Sequence, residues 1–447
     1  MAGFPITLTS PVEHCGPLPK EADVVIIGGG VIGVSAAYYL AKKGLKPVVL
    51  EKGRIAGEQS ARNWGWIRQQ GRDLAELPIM IEANRLWADI AEEVEQDIGL
   101  TTCGLTYFSE SDAETASYEE WLAKAVPMGV DSHLLSSKEL AELIPGMTRT
   151  YSAALHTPSD MKAEPWVAVP ALARAAVKAG AEIVENCAAR TLDRSAGRVS
   201  GVVTEQGLIK APQVIVAGGA WSALFLRNEG VNIPQLSVRA TVATTEALPD
   251  VFQGGAVSAR LAFRRRQDGG YTLASAGYHE IFVGPDALRH TPKYLRQALR
   301  DPLSRAYRPV APKGFPDGWG TARRWAGDVT SPFEKLRILD PAPHTGKVEE
   351  IRKAFASLLP IVGEVKIAAS WAGMIDTMPD VVPVVDQAPI EGLSVCTGMC
   401  GHGFGIGPAF GRIMSDMVSG GDIGHNLSRF RFSRFSDGSK LELGPDL

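Results

Sequence analysis

The sequence predicts an α/β protein in which a buried parallel sheet is assembled from separate parts of the chain. Short apolar runs rich in Val and Ile stand at 22–27 and 45–50 and return at 214–216 and 393–397. Such runs are typical of parallel strands that are covered on both faces. Between about 231 and 290, apolar and polar residues alternate instead, which indicates antiparallel strands. We therefore expect one parallel α/β domain and one α+β domain on a mainly antiparallel sheet.

The length of the chain supports a division into two domains, because 447 residues are too many for one ordinary core. Four prolines within the first twenty residues predict an N-terminal arm at 1–20. The expected parallel domain comprises 21–90, 150–230 and 365–435. The expected second domain comprises 91–149 and 231–364 and includes a helical insert.

Composition narrows the possible functions. A formal net charge of −4 argues against nucleic acid as a partner, since phosphates call for a basic surface. The five cysteines are scattered without a second Cys/His cluster, so free thiols are expected and no metal site is predicted. The first residues lack the pattern of a signal peptide, and no uncharged stretch is long enough to span a bilayer. We expect a cytoplasmic protein with at most peripheral membrane association.

A glycine-rich turn follows the first predicted strand and precedes a predicted helix. Gly28, Gly30 and Gly33 fit the pattern G-x-G-x-x-G, in which glycines permit a tight turn and a close approach of pyrophosphate. The helix N-terminus then offers N–H groups and partial positive charge to the phosphates. Glu51 ends the next strand, where a carboxylate accepts hydrogen bonds from ribose. This context predicts a dinucleotide site, and the fingerprint alone leaves both FAD and NAD open.

Four ordered segments resemble one family. The first is VVIIGGGVIGVSAAYYLAKKGLKPVVLEKG, and the others lie at 154–183, at 201–222 and at 370–416, the last containing the motif GHGFG. These segments resemble the D-amino-acid oxidase superfamily of FAD-dependent oxidoreductases, in its glycine oxidase and sarcosine oxidase-like branch. The resemblance implies a Rossmann-type FAD-binding domain that is discontinuous in sequence. It also implies oxidation of a C–N bond to an imine by hydride transfer to flavin N5, in a small primary or secondary amine or an amino acid.

The resemblance also implies a set of cofactor-binding residues. They would contact the pyrophosphate, the ribose, the adenine and the isoalloxazine ring, and FAD would be bound non-covalently because no Cys lies near the Trp-x-Gly loop at 371–376. The set is Gly28, Gly30, Val31, Ile32, Gly33, Glu51, Lys52, Ser60, Asn63, Trp64, Gly65, Ala189, Gly218, Gly219, Trp221, Gly373, Gly401, Gly403, Phe404 and Gly405.

An amino-acid substrate requires a cation for its carboxylate, ideally an arginine. Many glycine-oxidase-like members carry an Arg in the Trp-x-Gly loop, and this chain has none there. Arg68 lies where sarcosine-oxidase-like members present an arginine, so it is the first candidate; the alternative is pairing with an acidic neighbour or the FAD phosphates. The basic run 264–266 and Tyr271 are secondary candidates. His402 is a candidate for hydrogen bonding to the flavin or the substrate; the alternative is that its loop acts through the backbone alone.

Several functional alternatives stay open at this point. The substrate could be a D-amino acid, a glycine- or sarcosine-like compound, or another N-substituted amino acid. Electrons could pass to O₂, or to a quinone or partner subunit if the chain is the flavin subunit of a hetero-oligomer. An NAD-dependent dehydrogenase is the alternative of another class. The oligomeric state is not predicted.

Overall fold

The computed structural model describes residues 6–300 and 305–444. Within these residues a six-stranded sheet forms the centre of the first structural layer. Its neighbouring strands are parallel, except that the edge strand Val384–Gln387 runs antiparallel to its neighbour. In order across the sheet the strands are Val384–Gln387, Leu393–Thr397, Gln213–Val216, Val24–Ile27, Pro47–Leu50 and Glu182–Val184.

Four helices pack together on one side of this sheet, namely Val31–Lys42, Leu77–Glu93, Pro165–Lys178 and Gly403–Ser419. The first and last approach each other closely because the last carries small residues at its contact points. A Cβ on Gly411 would lie 2.2 Å from the Cβ of Ser35, and one on Gly407 would lie 2.6 Å from Val31 Cγ2. Glycines four residues apart therefore let the backbones pack together.

The second layer is a ten-stranded, mainly antiparallel sheet. Its longest pairing joins Leu236–Thr245 to Ile367–Thr377 over nearly their whole lengths. A core of aromatic and aliphatic side chains, which includes Phe263, Tyr271 and Phe355, lies against this sheet. The other strands, in order from one edge, are Arg305–Arg308, His279–Phe282, Tyr271–Ala274, Ala262–Arg265, Gly255–Val257, Leu105–Ser109, Ala153–Thr157 and His133–Ser136.

Two small sheets and several helices complete the described structure. The three-stranded sheets consist of Ala189–Ser195, Arg198–Thr204 and Gly207–Lys210, and of Trp66–Ile67, Met161–Lys162 and Thr101–Thr102. The remaining α-helices are Gln59–Arg62, Asp112–Ala125, Ser137–Leu143, Ser222–Asn228, Pro285–Arg300, Pro332–Lys335 and Thr345–Leu358. Within 6–300 and 305–444, every helix is too short or too polar to span a lipid bilayer.

Two strands belong to a different sheet from the one that the expected domain ranges imply. All six strands of the parallel sheet fall within the ranges expected for the parallel domain. However, Ala153–Thr157 and Ile367–Thr377, which lie in the same expected ranges, belong to the antiparallel sheet. The cause is tertiary pairing. Ala153–Thr157 pairs with Leu105–Ser109, and Ile367–Thr377 pairs with Leu236–Thr245 before the chain returns to the parallel sheet at Val384. Residues 6–20 of the expected arm lie against the protein, where Ile6 is buried and Cys15 pairs with Val184. Residues 1–5 of the arm lie outside the described residues.

Candidate active site

A cavity of about 1260 Å³ lies between the two large sheets. The carboxyl ends of four parallel strands open into it, through Gly28, Glu51, Ala217 and Thr397. The antiparallel sheet contributes its other wall. Ligands of open α/β sheets bind at the carboxyl ends of the strands. The volume exceeds that of an ordinary small-molecule pocket, as a dinucleotide with a substrate beside it requires.

The glycine-rich turn forms a cradle at one end of the cavity. Gly28 has a φ of +114°, and a Cβ there would lie 2.5 Å from the carbonyl oxygen of Ala217. A Cβ on Gly33 would lie 2.0 Å from the carbonyl oxygen of Gly28, so only glycine lets the helix begin so close to the strand. Gly30 lines the cavity with only Ser60 Oγ nearby, at 3.0 Å from its Cβ position. The fingerprint thus leaves backbone accessible to a phosphate group.

Glu51 lies at the end of the strand Pro47–Leu50 and lines the cavity. Its carboxylate accepts hydrogen bonds from the backbone N–H of Gly29 (2.8 Å) and of Gly53 (2.7 Å). Burial raises the pKa of this carboxyl to about 7. Each carboxylate oxygen has further acceptor capacity, which ribose hydroxyls can use.

The second loop along the cavity runs from Ser60 to Gly65. Ser60 Oγ accepts a hydrogen bond from the N–H of Val31, which ties the loop to the start of the first helix. Asn63 donates to two backbone carbonyls and accepts from the N–H of Gly65 (2.8 Å), so it orders the loop. Ser60, Asn63 and Trp64 line the cavity, whereas Gly65 packs behind it against Ala163.

The other predicted cofactor residues divide in the same way. Those that line the cavity are Val31, Ile32, Lys52, Ala189, Gly218, Gly219, Trp221, Gly373, Gly401, Gly403 and Phe404. Gly33 and Gly405 lie behind the lining and allow close packing. A Cβ on Gly405 would lie 3.1 Å from the Cα of Ile67, and the carbonyl of Gly405 accepts a hydrogen bond from the indole N–H of Trp87.

His402 stands immediately before the C-terminal helix and faces the cavity. Its Nδ1 lies 3.2 Å from Oε2 of Glu76, and both side chains are buried. Burial holds the pKa of His402 well below its usual value, and the guanidinium groups of Arg72 and Arg68 act in the same direction. The imidazole is therefore neutral at pH 7. Glu76 has no local motif that identifies it, because its partner lies far away in sequence.

Two arginines lie beside this histidine on the cavity wall, Arg68 and Arg72. The guanidinium of Arg68 lies 5.3 Å from the ring centre of Tyr107 and donates to the carbonyl of Gln70. In the described part of the chain no carboxylate pairs with either arginine. Arg72 donates from Nε to the carbonyl of Arg68, its Nη1 has no partner, and burial lowers its pKa to about 9. Sequence reasoning selected Arg68 and missed Arg72.

The secondary substrate candidates lie elsewhere. Tyr271 is fully buried in the aromatic core against Phe263 and Phe355, and it does not line the cavity. Arg264 is buried in an ion pair with Glu164. Arg265 and Arg266 of the basic run 264–266 also do not line the cavity. Sequence alternation does not reveal this, because it does not tell which face of a strand points toward a cavity.

The Trp-x-Gly segment at 371–376, expected as a loop, is part of the strand Ile367–Thr377, and its Asp376 lines the cavity. Its Oδ2 accepts hydrogen bonds from the N–H of Gly398 (2.8 Å) and from Gln235 (3.1 Å). Its Oδ1 is buried without a partner among the described residues. An acceptor of this kind suits a ligand that carries hydroxyl groups, and FAD is such a ligand. The glycine cradle suits the pyrophosphate of FAD. The residues present therefore fit FAD.

The chain belongs to the family of FAD-dependent oxidoreductases described as DAO, which it matches over residues 23–417. FAD is the cofactor of this family, and the predicted family and fold class are confirmed. NAD, the alternative cofactor, is thereby set aside.

The chain is similar to several named proteins of known sequence or structure. Sarcosine oxidase subunit beta of Arthrobacter sp. is 26% identical over 436 residues, which cover 95% of this chain and 94% of that protein. Mitochondrial sarcosine dehydrogenase of Mus musculus is 30% identical over 246 residues, and the match covers 53% of this chain and 26% of the relative. The chain thus matches about a quarter of that longer protein. L-Amino acid deaminase from Proteus myxofaciens, solved with anthranilate, superposes with a TM-score of 0.91 at 27% identity, covering 95% and 96% of the two chains.

Proposed function

We propose that this protein oxidises the C–N bond of an amino acid, at a primary or secondary amine, to an imine that water hydrolyses to a carbonyl compound. The observation that carries the proposal is Arg68, a cavity-lining guanidinium with no carboxylate partner in residues 6–300 and 305–444. The same cavity holds the FAD cradle. A carboxylate-bearing substrate supplies the missing anion.

The relatives support this substrate class. Their names identify sarcosine, dimethylglycine and L-amino acids as compounds on which related proteins act. The deaminase of Proteus myxofaciens was solved with anthranilate, which carries both an amine and a carboxylate. These compounds have in common a carboxylate close to a nitrogen.

The residues of the cavity have separate tasks in this proposal. FAD, when bound, supplies the two-electron oxidation of the substrate. Arg68 binds the carboxylate and thereby fixes the orientation of the α-carbon. Trp64, Trp66 and Tyr107 form an aromatic wall, with Trp64 and Trp66 ring centres 4.9 Å apart, and exclude water from the reacting bond. His402, neutral at pH 7, offers a hydrogen-bond acceptor to the amine.

An anaerobic flavin-bleaching screen tests the proposal. The purified holoenzyme is mixed with D-amino acids, L-amino acids, N-alkyl amino acids and plain amines, and the flavin absorbance is followed. We expect carboxylate-bearing amines to bleach the flavin at concentrations at which the plain amines do not. Equal bleaching by both groups contradicts the assignment of Arg68, and no bleaching by any amine contradicts amine oxidation by the isolated chain.

The likeness to sarcosine oxidase subunit beta over nearly the whole of both chains favours a second candidate, a flavin subunit that acts with a partner. Such a subunit shows a flavin spectrum that amines bleach only after the partner is added. Peroxide release under air identifies the acceptor, since an oxidase releases peroxide and a dehydrogenase that passes electrons to a quinone or partner releases almost none.

We also propose a cytoplasmic location, supported by five cysteines that all remain free thiols. Cell fractionation tests it.

A further inference from the structure

Glu76 and His402 form a buried pair beside the cavity, and this pair rests on two distant elements. Glu76 immediately precedes the helix Leu77–Glu93, and His402 immediately precedes the helix Gly403–Ser419. These two helices pack against each other, so the pair is held between rigid elements. The distance from His402 Nδ1 to Glu76 Oε2 is 3.2 Å.

The ring nitrogen of His402 that does not face Glu76 is unusual because it lacks a partner. Nε2 of His402 is buried and has no hydrogen-bond partner among the described residues, although the side chain lines the cavity. A buried polar atom without a partner costs free energy, so it indicates a group supplied by a ligand. When Glu76 is ionised, it accepts the hydrogen on Nδ1, and Nε2 is then a proton acceptor.

The chemistry proposed above calls for such an acceptor. An amino acid in neutral water carries an ammonium group, and an ammonium nitrogen has no lone pair with which to form an imine. One N–H bond must therefore break before the C–H bond is oxidised, and its proton must go to a base within reach.

We propose that Glu76 is a positioning residue that holds His402 with Nδ1 protonated, so that Nε2 accepts the proton of the substrate ammonium. The N–H bond of the ammonium breaks, a bond from Nε2 to the proton forms, and the lone pair stays on the substrate nitrogen. The imidazolium so formed is paired with the Glu76 carboxylate, and the proton leaves to water with the product. This assignment rests on the proposed amine oxidation.

The charged groups around the pair set the pH range in which it works. Burial raises the pKa of Glu76 to about 7, opposed by the guanidinium groups around it. Glu76 is therefore ionised above about pH 7, which is the form that orients His402. The charged groups that act on one or both members are Arg72, Arg68, Arg429, Asp73 and Asp380.

The pH dependence of anaerobic flavin reduction tests this role in the holoenzyme, with Glu76→Gln as the variant. In the unsubstituted enzyme we expect the second-order rate constant to rise up to about pH 7 and then level off, because the site consumes the ammonium form. In Glu76→Gln we expect the rate constant to fall by about 100-fold at pH 7.5. In that variant it should rise with pH until the amine of the free substrate deprotonates, and Glu76→Asp should restore part of the plateau.

Glu82→Gln is the matched control. Glu82 lies on the helix that Glu76 precedes and also contacts a histidine, His425, but neither Glu82 nor His425 lines the cavity. We expect this control to keep the wild-type pH profile. A Glu76→Gln profile that levels off at the same pH as wild type overturns the proposal.

A second measurement does not depend on turnover. In protein with ¹⁵N-labelled histidine, NMR at pH 8 reports which ring nitrogen carries the proton, and a His402→Gln variant identifies the signal. We expect Nδ1 of His402 to be protonated, and a proton on Nε2 overturns the proposal even if Glu76→Gln fails to fold. If no amine reduces the flavin while Nδ1 carries the proton, the proposed function fails and the positioning of His402 by Glu76 stands.

Discussion

The guanidinium of Arg264 binds the carboxylate of Glu164 through two hydrogen bonds of 3.0 and 2.8 Å, with both side chains buried. Glu164 immediately precedes the helix Pro165–Lys178 of the first layer, and Arg264 lies on the antiparallel sheet. Nε of Arg264 also donates to the backbone carbonyl of Trp64, which lines the cavity. This pair therefore joins the two layers and fixes one wall of the site.

Removing the charge of Glu164 should destabilise the protein, because it leaves the guanidinium of Arg264 buried without an anion. We expect Glu164→Gln to lower the free energy of unfolding by about 3–5 kcal/mol. Urea denaturation followed by fluorescence measures this change. Glu391→Gln is the control, since its pair with Arg198 is exposed and contributes less than about 1 kcal/mol. Equal losses in the free energy of unfolding for the two substitutions would show that the buried pair stabilises the protein no more than an exposed pair does.

Arg68→Ala should weaken the binding of carboxylate-bearing substrates much more than that of plain amines. Hydrogen bonding between charged groups contributes about 1.5–3 kcal/mol. The dissociation constant of a carboxylate-bearing substrate should therefore rise by roughly 10- to 150-fold. Anaerobic flavin titration measures it for both groups of compounds. The exposed Arg85, which lies away from the cavity, provides the control substitution Arg85→Ala. A similar loss for amines and for amino acids would mean that Arg68 does not bind the carboxylate.

Gly33→Ala should reduce the FAD content of the purified protein severely. The added Cβ would lie 2.0 Å from the carbonyl oxygen of Gly28, so the helix must shift away from the turn that approaches the pyrophosphate. The ratio of flavin to protein absorbance measures the loss. Gly320→Ala serves as control, because nothing lies within 4 Å of a Cβ at that position. Full flavin content in Gly33→Ala would contradict the predicted cradle.

The non-covalent state of FAD is open to a direct measurement. Cys396 and Cys400 line the cavity, but burial raises the pKa of both thiols well above the usual value. The thiolate is the nucleophile, so neither cysteine is disposed to form a bond with the flavin. We expect all of the flavin to appear in the supernatant after acid precipitation of the protein. Yellow precipitate that keeps its flavin would disprove non-covalent binding.

Asp160 should make the protein less stable as the pH rises from about 5 to 8. Burial raises the pKa of this carboxyl to about 7 from an ordinary value near 4. The folded state then binds this proton more tightly than the unfolded state does. The stabilising contribution of Asp160 is therefore fully present in acid and is lost as the pH rises toward about 7.

We expect Asp160→Asn to reduce the fall in melting temperature between pH 5 and pH 8, as measured by differential scanning fluorimetry. Glu139→Gln is a control of opposite sign. Hydrogen bonds from Ser136 lower the pKa of that exposed carboxyl, so its contribution is lost only in more acidic solution. An unchanged fall in Asp160→Asn would mean that Asp160 is ionised in the folded protein across this range.

The parts of the fold that the sequence predicted are those with strong local patterns. The strands Val24–Ile27 and Pro47–Leu50 are short apolar runs, and the turn between Gly28 and Gly33 combines glycines with a strand and a helix. These signals depend on neighbouring residues alone. The same holds for Glu51, whose place at the end of a strand follows from counting along the chain.

The features that the sequence did not predict depend on distant contacts. Glu76 and His402 are 326 positions apart in the sequence, and they meet only because the helices that follow them pack together. Tyr271 fits an alternating strand equally well with its ring toward the core or toward a ligand. The strand Ile367–Thr377 has ordinary strand character, and only its pairing with Leu236–Thr245 determines the sheet to which it belongs.

The order of strands in the parallel sheet has a consequence for synthesis of the chain. Gln213–Val216 lies between Val24–Ile27 and Leu393–Thr397, and Val214 pairs with Leu393. During synthesis of the chain, the strand at 213–216 has one hydrogen-bonding edge open until residues 393–397 have been made. An open edge is a site for aggregation, and contacts between distant residues slow folding. Nascent chains of this protein should therefore depend on chaperones until Leu393–Thr397 and the helix Gly403–Ser419 have been made.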